Sequence, residues 1–348
     1  MKAWNLHGIN QLQYEEVPVP RLQENEVLLK VKACGICGSD IPRIYTTGAH
    51  NHPLIPGHEF AGEVVDAGSA CDRSRIGKHF GVFPLLPCRK CPSCLTKDYQ
   101  LCHNYNYLGS RCNGGFAEYV AVPEWNLIEL PDPVSFEAAA MLEPMSVAAH
   151  TIRHTKWNKE DPILILGLGT IGFLVTMLLA EAGADNLYVV GNKEFQKEKI
   201  LSLGIDESHY CGSNVTSVVT WLQEQTHLQG ARVVFECVGK SETLSQAIDC
   251  TATKGSVITV GNPASDMSLP KTTYWNILRR ELTLKGIWNS SFTGEETDDW
   301  HYVLSRLSKG TLHPEIMISH RLPLDQLRTG LEIMRDKKEP YGKVMTLL

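Results

Sequence analysis

The run Pro162-Ile163-Leu164-Ile165-Leu166 passes directly into Gly167-Leu168-Gly169-Thr170-Ile171-Gly172, and a helical pattern follows to Ala182. A short apolar strand, a glycine turn and a helix in that order restrict a fold severely. The first glycine permits the tight turn, the second lets backbone approach a ligand, and the third allows close strand–helix packing. Unpaired N–H groups at the helix start attract an anion. Gly167, Gly169, Thr170, Ile171 and Gly172 are therefore expected to receive the pyrophosphate of a dinucleotide. The surrounding stretch, 162–184, is the most apolar in the chain and about long enough to span a bilayer. Its three glycines are explained better by the turn.

The segments that follow keep the same rhythm. Residues 186–190, 232–238, 256–261 and 282–286 read as strands, with helices over 193–203 and 241–251. Strands alternating with helices imply a doubly wound parallel sheet of the Rossmann type. Where this fold places a carboxylate on the ribose 2′-hydroxyl of NAD, the chain reads Val190-Gly191-Asn192-Lys193. The missing carboxylate and the nearby cation favour the 2′-phosphate of NADP, although Asn192 could still hold a free ribose and Lys193 could simply begin a solvated helix.

Before residue 150 the character differs. Residues 26–32, 62–65 and 116–122 alternate as half-buried strands do, and frequent Gly and Pro separate them, which predicts an antiparallel barrel-like domain. The expected division is 1–150, 151–286, and a return of 287–348 to the first domain, ending in an apolar strand at 344–348.

Eleven cysteines in a 348-residue chain, with no apolar leader at the start, point to metal ligation and buried thiols rather than to a disulfide framework. Cys88, Cys91, Cys94 and Cys102 fall in one fifteen-residue loop spaced C-x2-C-x2-C-x7-C. Four thiolates fill a tetrahedral zinc shell and leave no open position, so the role is structural. An iron–sulfur cluster is the competing reading of the first three. A second group has a different character: Cys37 in ACGICGSD, His58 and Glu59 in PGHE, and Glu143 in LEP. Cys, His and Glu suit a zinc site that keeps a position for water or substrate. Cys34 is read as a buried thiol.

A net charge of −6 with no basic run argues against a nucleic-acid partner, and a cytoplasmic protein with no membrane role is expected.

CGICGSD, GHEFAGEVVDAG, PCRKCPSC, GGFAEY, EP and GLGTIG in this order resemble the zinc-containing medium-chain dehydrogenase/reductase family, in its polyol dehydrogenase branch, along essentially the whole chain. The resemblance implies a GroES-like catalytic domain beside a Rossmann cofactor domain. It implies two zinc ions per chain. The catalytic one would sit on Cys37, His58 and Glu143, with Glu59 entering or leaving the shell, and the structural one on the four-cysteine loop. It further implies an NAD(P)-linked oxidation of a secondary alcohol on a polyol or polyol phosphate, Ser39 as the hydroxyl group passing the proton, and a homo-oligomer, dimer or tetramer. Many relatives carry an Asp where Gly191 stands, and many alcohol dehydrogenases a relay histidine where Pro42 stands.

A phosphorylated substrate calls for cations, and Arg43 and Arg111 are the candidates, with a salt bridge as the alternative role for each. Tyr45, Trp288 and Asn289 are candidates for lining the pocket. The rival readings are a zinc-free reductase on this fold, a threonine or free-polyol dehydrogenase, and a non-catalytic metal-binding protein. The first lacks the Cys/His/Glu set, and the last predicts a lost ligand or a damaged glycine loop, neither of which the sequence has.

Overall fold

The computed structural model describes residues 1–212 and 217–348. The chain forms two units, Met1–Ser146 with Ser290–Leu348, and Val147–Asn289.

In the first unit, the Glu26–Gly35 strand carries Val27, Leu29 and Val31 into the core, and its alternation makes it the spine of a seven-stranded sheet. It pairs antiparallel with Glu59–Ala67 along its length, with Tyr119–Pro123 at its start and with Lys343–Leu347 at its end. The sheet continues through His79–Val82 to Leu127–Glu129, and Ile318–Pro323 closes the other side beside Lys343–Leu347. Phe60, Phe80 and Phe116 fill the space beneath, with Leu327 and Leu331 from the Leu327–Asp336 helix. The strand expected over 116–122 begins only at Tyr119. Gly115 and Phe116 send their N–H groups instead to Gly57 and Pro56 carbonyls.

The second unit is a six-stranded sheet in the order Tyr210–Cys211, Asn186–Val190, Pro162–Leu166, Ala231–Glu236, Thr251–Thr259, Thr283–Gly286. Every pair is parallel. Numbered along the chain the order is 3-2-1-4-5-6, that of the Rossmann fold. Pro162–Leu166 is almost wholly buried, as expected for a central strand covered by helices on both faces. The strand expected to run to Val238 ends at Glu236, because the buried Glu236 carboxylate accepts the N–H groups of Val238 and Gly239 and turns the chain. Among the described residues no helix is long and apolar enough to cross a membrane.

One contact is expected to make the first unit sensitive to pH. Asp298, buried at the N-cap of the Asp299–Ser308 helix, accepts the His301 N–H and lies 2.9 Å from its ring Nδ1. That hydrogen bond, opposed by partial burial and helped by the charges of Asp298 and Glu296, raises the histidine pKa above its ordinary 6.5. Because the folded value lies above the unfolded one, the contribution is complete below about 6.5 and is lost as pH rises through the raised value. Thermal melts from pH 6 to 9 are expected to show this decline, and His301→Gln to flatten it; an unchanged slope would remove His301 from the account.

Candidate functional site

Cys37 follows the end of the Glu26–Gly35 strand, and His58 and Glu59 stand at the start of the antiparallel Glu59–Ala67 strand, where Gly35 pairs with Glu59. Residues 21 and 22 apart in sequence are thereby brought to one sheet end. The ligand atoms of Cys37, His58 and Glu59 all lie within 4.8 Å of one another. His58 and Glu59 are buried, and His58 Nδ1 has no hydrogen-bond partner. The His58 backbone is fixed from behind: a Cβ on Gly109 or Gly114 would meet the Gly57 carbonyl oxygen at 2.2 or 2.1 Å, so only glycines admit this approach.

Glu143, in the first turn of the Leu142–Arg153 helix, lies outside that 4.8 Å set. Its carboxylate accepts the Tyr107 hydroxyl at 2.9 Å, and the Tyr107 ring meets His58 edge-on at 5.8 Å. Burial and the charge of Glu59 raise the Glu143 pKa, while His58, Tyr107 and Lys343 pull against them.

Two further residues organise the group. Asp40, fully buried, accepts the Cys37 N–H and the Arg43 guanidinium, and stands 3.7 Å from His58 Nδ1. Lys343, equally buried on the C-terminal strand, is ion-paired with Glu59. Burial opposes charge on Lys343, but Glu59, Cys37 and Glu143 outweigh it and raise its pKa. Burial likewise opposes charge on His58, yet Cys37, Asp40 and Glu143 raise it to about 10. The cluster thus attracts positive charge. Cys37, Asp40, Glu59 and Glu143 surround His58, with Arg43 and Lys343 as the other cations. A divalent cation would take the place of the His58 proton there, and soft sulfur beside imidazole and carboxylate is a zinc donor set.

The cysteine loop has the spacing of a single ion. Sγ separations are 4.0 Å for Cys88–Cys94, 3.5 Å for Cys91–Cys94 and 3.8 Å for Cys91–Cys102, and all four thiols are free. Four sulfurs about 2.3 Å from one tetrahedral zinc stand about 3.8 Å apart, whereas a disulfide requires about 2.05 Å. So close a convergence leaves no room for a multi-iron cluster. Backbone N–H groups of Lys90 and Cys91 reach Cys88, and those of His103 and Cys94 reach Cys91, which favours the thiolate at those two positions, whereas burial and the neighbouring thiols push Cys94 up to about 12. Cys34 is fully buried, its pKa raised well above the ordinary thiol value by burial and by the charges of Asp40 and Glu59.

Ser39 stands half-buried at the start of the Asp40–Tyr45 helix. Arg43 is committed to Asp40 at 2.5 Å, and the Arg111 guanidinium lies 4.2 Å from the Tyr105 ring, with Nη1 on the Tyr105 carbonyl. Tyr45 packs under Arg335 at 4.6 Å. Trp288 and Asn289 belong to the other unit, Trp288 half exposed and Asn289 at φ +57°.

In the second unit, Gly167 has φ +92°, and a Cβ there would lie 2.3 Å from Val238 Cγ2. A Cβ on Gly172 would fall 1.9 Å from the Gly167 carbonyl oxygen, while one on Gly169, the N-cap of the Thr170–Glu181 helix, would meet nothing within 4 Å. Two glycines are thus demanded by packing, and the third borders open space at an uncapped helix start, as a phosphate cradle requires. Gly172→Ala is expected to abolish measurable cofactor binding or to cost several kcal/mol of stability, because backbone and not a flexible side chain blocks the methyl. Titration by nicotinamide fluorescence together with a melt checks this; ordinary binding by a normally stable variant would contradict it. Gly191 is buried, Asn192 exposed and Lys193 extended at the N-cap of Glu194–Leu201.

Residues 23–132 match the alcohol dehydrogenase GroES-like domain and residues 170–309 the zinc-binding dehydrogenase domain. Galactitol 1-phosphate 5-dehydrogenase of Escherichia coli K12 is 30% identical over 334 residues, 95% of each chain. L-idonate 5-dehydrogenase of Vitis vinifera is 33% identical over 335 residues, 94% of this chain and 88% of that one. The crystal structure of galactitol-1-phosphate dehydrogenase from Escherichia coli superimposes with a TM-score of 0.90 at 29% identity, covering all of both chains. The chain belongs to the zinc-containing medium-chain dehydrogenase/reductase family, with a GroES-like domain and a Rossmann domain. It is an enzyme, a zinc-binding dehydrogenase.

Asp40, Tyr107 and Lys343 carried no role in the sequence reading. Asp40 lies inside the CGSD motif, three residues after Cys37, and that spacing is the local signal for its contact with the Cys37 N–H. Tyr107 and Lys343 reach the site only through strand pairing, and nothing local marks them.

Proposed function

We propose that the chain oxidises a secondary alcohol of a polyol phosphate such as galactitol 1-phosphate to the ketose phosphate, with NAD(P) as hydride acceptor and NADP favoured. The observation that carries the dehydrogenase chemistry is the convergence of Cys37, His58 and Glu59 within 4.8 Å in a buried, cation-attracting cluster. The substrate assignment rests on the similarity to galactitol 1-phosphate 5-dehydrogenase.

Cys37 and His58 would hold the catalytic zinc, with Glu143 as third ligand and Glu59 exchanging, and Cys88, Cys91, Cys94 and Cys102 the structural one. When bound, zinc acts as a Lewis acid on the substrate hydroxyl, and the nicotinamide ring accepts the hydride. Asp40 fixes the Cys37 loop through its N–H and faces His58. Lys343 holds Glu59, and Tyr107 holds Glu143, so each carboxylate has a partner when it is not a ligand. Ser39 takes the hydroxyl proton outward, and Pro42, three residues on, has no group to extend the relay. Gly167 to Gly172 receives the pyrophosphate.

A free polyol is the second reading, favoured by Arg43, whose guanidinium is committed to buried Asp40. Arg111 remains the candidate for a phosphate. Zinc-replete protein assayed by nicotinamide absorbance with galactitol 1-phosphate, galactitol, sorbitol and threonine, each with NAD and NADP, separates them. Efficient turnover confined to the phosphorylated polyol is expected. Turnover of free polyols or threonine alone would discard the phosphate and leave the dehydrogenase.

A further inference from the structure

Arg111 is half-buried, yet among the described residues no carboxylate pairs with it. Its Nη1 donates to the Tyr105 carbonyl at 3.3 Å, which leaves Nε–H and the Nη2 hydrogens unused. Arg43 shows the ordinary arrangement, its guanidinium held by the buried Asp40. A cation withdrawn from water without a counter-charge is unfavourable, so the position of Arg111 calls for an anion that the chain itself does not supply.

That position is closely fixed. The Tyr107 carbonyl accepts the N–H groups of Ser110, Arg111 and Cys112 at 3.1, 2.8 and 3.2 Å, so Arg111 stands on the same tight turn as Tyr107. Asn51 Nδ2 donates to the Arg111 carbonyl at 3.3 Å and pins that turn. The guanidinium lies over the Tyr105 ring at 4.2 Å, and the Tyr105 ring meets that of Tyr107 edge-on at 6.2 Å. The Tyr107 ring in turn meets His58 edge-on at 5.8 Å, and its hydroxyl holds Glu143. A row of rings therefore leads from His58 to an unpaired guanidinium, and one turn ties the place of that cation to the place of Glu143.

We propose that Tyr105 and Arg111 are the specificity-determining pair for a terminal oxyanion on the polyol. Arg111 grips the oxyanion, and Tyr105 is the positioning residue that aims the guanidinium. This rests on the reading of Cys37, His58 and Glu143 as the catalytic centre. A guanidinium presents two parallel N–H donors to phosphate or carboxylate, and the face of an aromatic ring supports its plane without consuming a donor. The oxyanion supplies the counter-charge that Arg111 lacks, which a free polyol cannot do. Phosphate and carboxylate share this chemistry, and the substrates tested separate them.

The test compares kcat/KM for galactitol 1-phosphate, L-idonate and galactitol at saturating NAD(P), in the zinc-replete wild-type protein and four variants. Arg111→Gln is expected to lower the value for galactitol 1-phosphate about tenfold or more, the scale of hydrogen bonds to a charged group, and that for galactitol by no more than about twofold. Arg111→Lys keeps the charge without the fork and should recover part of the loss. Tyr105→Leu should cost about threefold with the phosphorylated polyol alone, and Tyr105→Phe, which keeps the ring, should cost nothing. Inorganic phosphate should compete with galactitol 1-phosphate in the wild-type protein and compete less well in Arg111→Gln. A preference for L-idonate that Arg111→Gln removes would make the oxyanion a carboxylate and keep the pair. Equal losses with charged and free polyols, or phosphate inhibition unmoved by Arg111→Gln, overturn the proposal and leave the dehydrogenase reading standing. Wild-type turnover of free polyols alone, uninhibited by phosphate, overturns it together with the phosphorylated substrate. Absence of turnover with every polyol would overturn the underlying reading, and the proposal with it.

Discussion

Replacing His58 with alanine is expected to lower kcat/KM for the alcohol by about a thousandfold or more, while one zinc ion per chain remains bound. The expectation follows from what His58 does in the cluster. It supplies the imidazole between the Cys37 thiol and the Glu59 carboxylate, within 4.8 Å of both. Without it, sulfur and carboxylates remain, but the site loses a neutral ligand and the group that Asp40 faces across 3.7 Å. Polarisation of a substrate oxygen by a metal is worth several kcal/mol, and about 4 kcal/mol corresponds to three orders of magnitude in rate. Zinc content, measured by atomic absorption, should fall from two ions to one. The melting temperature should drop by only a few degrees, because a small buried side chain is lost from one end of a sheet whose core lies elsewhere. Activity within a few-fold of wild type would remove His58, and with it the proposed catalytic centre, from the mechanism.

The features legible in the sequence were those fixed over short distances. The glycine turn is spelled out within six residues because each glycine answers a steric demand made by a near neighbour, such as the 1.9 Å approach to the Gly167 carbonyl at position 172. The cysteine loop is legible for the same reason, since four thiols that converge in space come from fifteen consecutive residues. The groups that escaped are those placed by pairing between remote strands. Lys343 meets Glu59 because the C-terminal strand pairs with Glu26–Gly35 and that strand with Glu59–Ala67. Gly35 lies beneath the resulting ion pair, where a Cβ would come 2.3 Å from Glu59 Oε2 and 2.7 Å from Lys343 Cε. A glycine in mid-motif is intelligible only once that crossing is known. Arg43 shows the converse. Its type and place suited a phosphate, but Asp40 three residues before it claims the guanidinium.

Cys94→Ala is expected to release the second zinc ion and to lower the melting temperature by about 10 °C, with kcat at permissive temperature largely retained. Apart from the thiols, the lobe between Cys88 and Cys102 is held by a four-residue helix, Pro92–Leu95, a three-residue turn, Tyr99–Leu101, the Arg89 guanidinium over Trp125 at 4.2 Å, Tyr99 against the same ring at 5.3 Å, and the exposed Lys97–Glu295 ion pair. Leu95 and Leu101 are exposed, so the lobe contributes little apolar burial of its own. On the proposed reading much of its order would come from the ion, and structural zinc in small domains supplies about 10 kcal/mol or more of apparent folding free energy. Only part of that reaches the rest of the unit, which has an independent core in the sheet around Val27, Phe60 and Phe116. A transmitted loss of about 3–4 kcal/mol, at 2–4 °C for each, gives the shift stated. Metal analysis, a melt and kcat at 25 °C make the three readings. Two zinc ions retained with an unmoved melt would remove Cys94 from the ligand set, although the sulfurs stand 3.5–4.0 Å apart. Iron in place of zinc would keep the structural role and change the metal. A collapse of kcat without a fall in melting temperature would instead tie the lobe to catalysis.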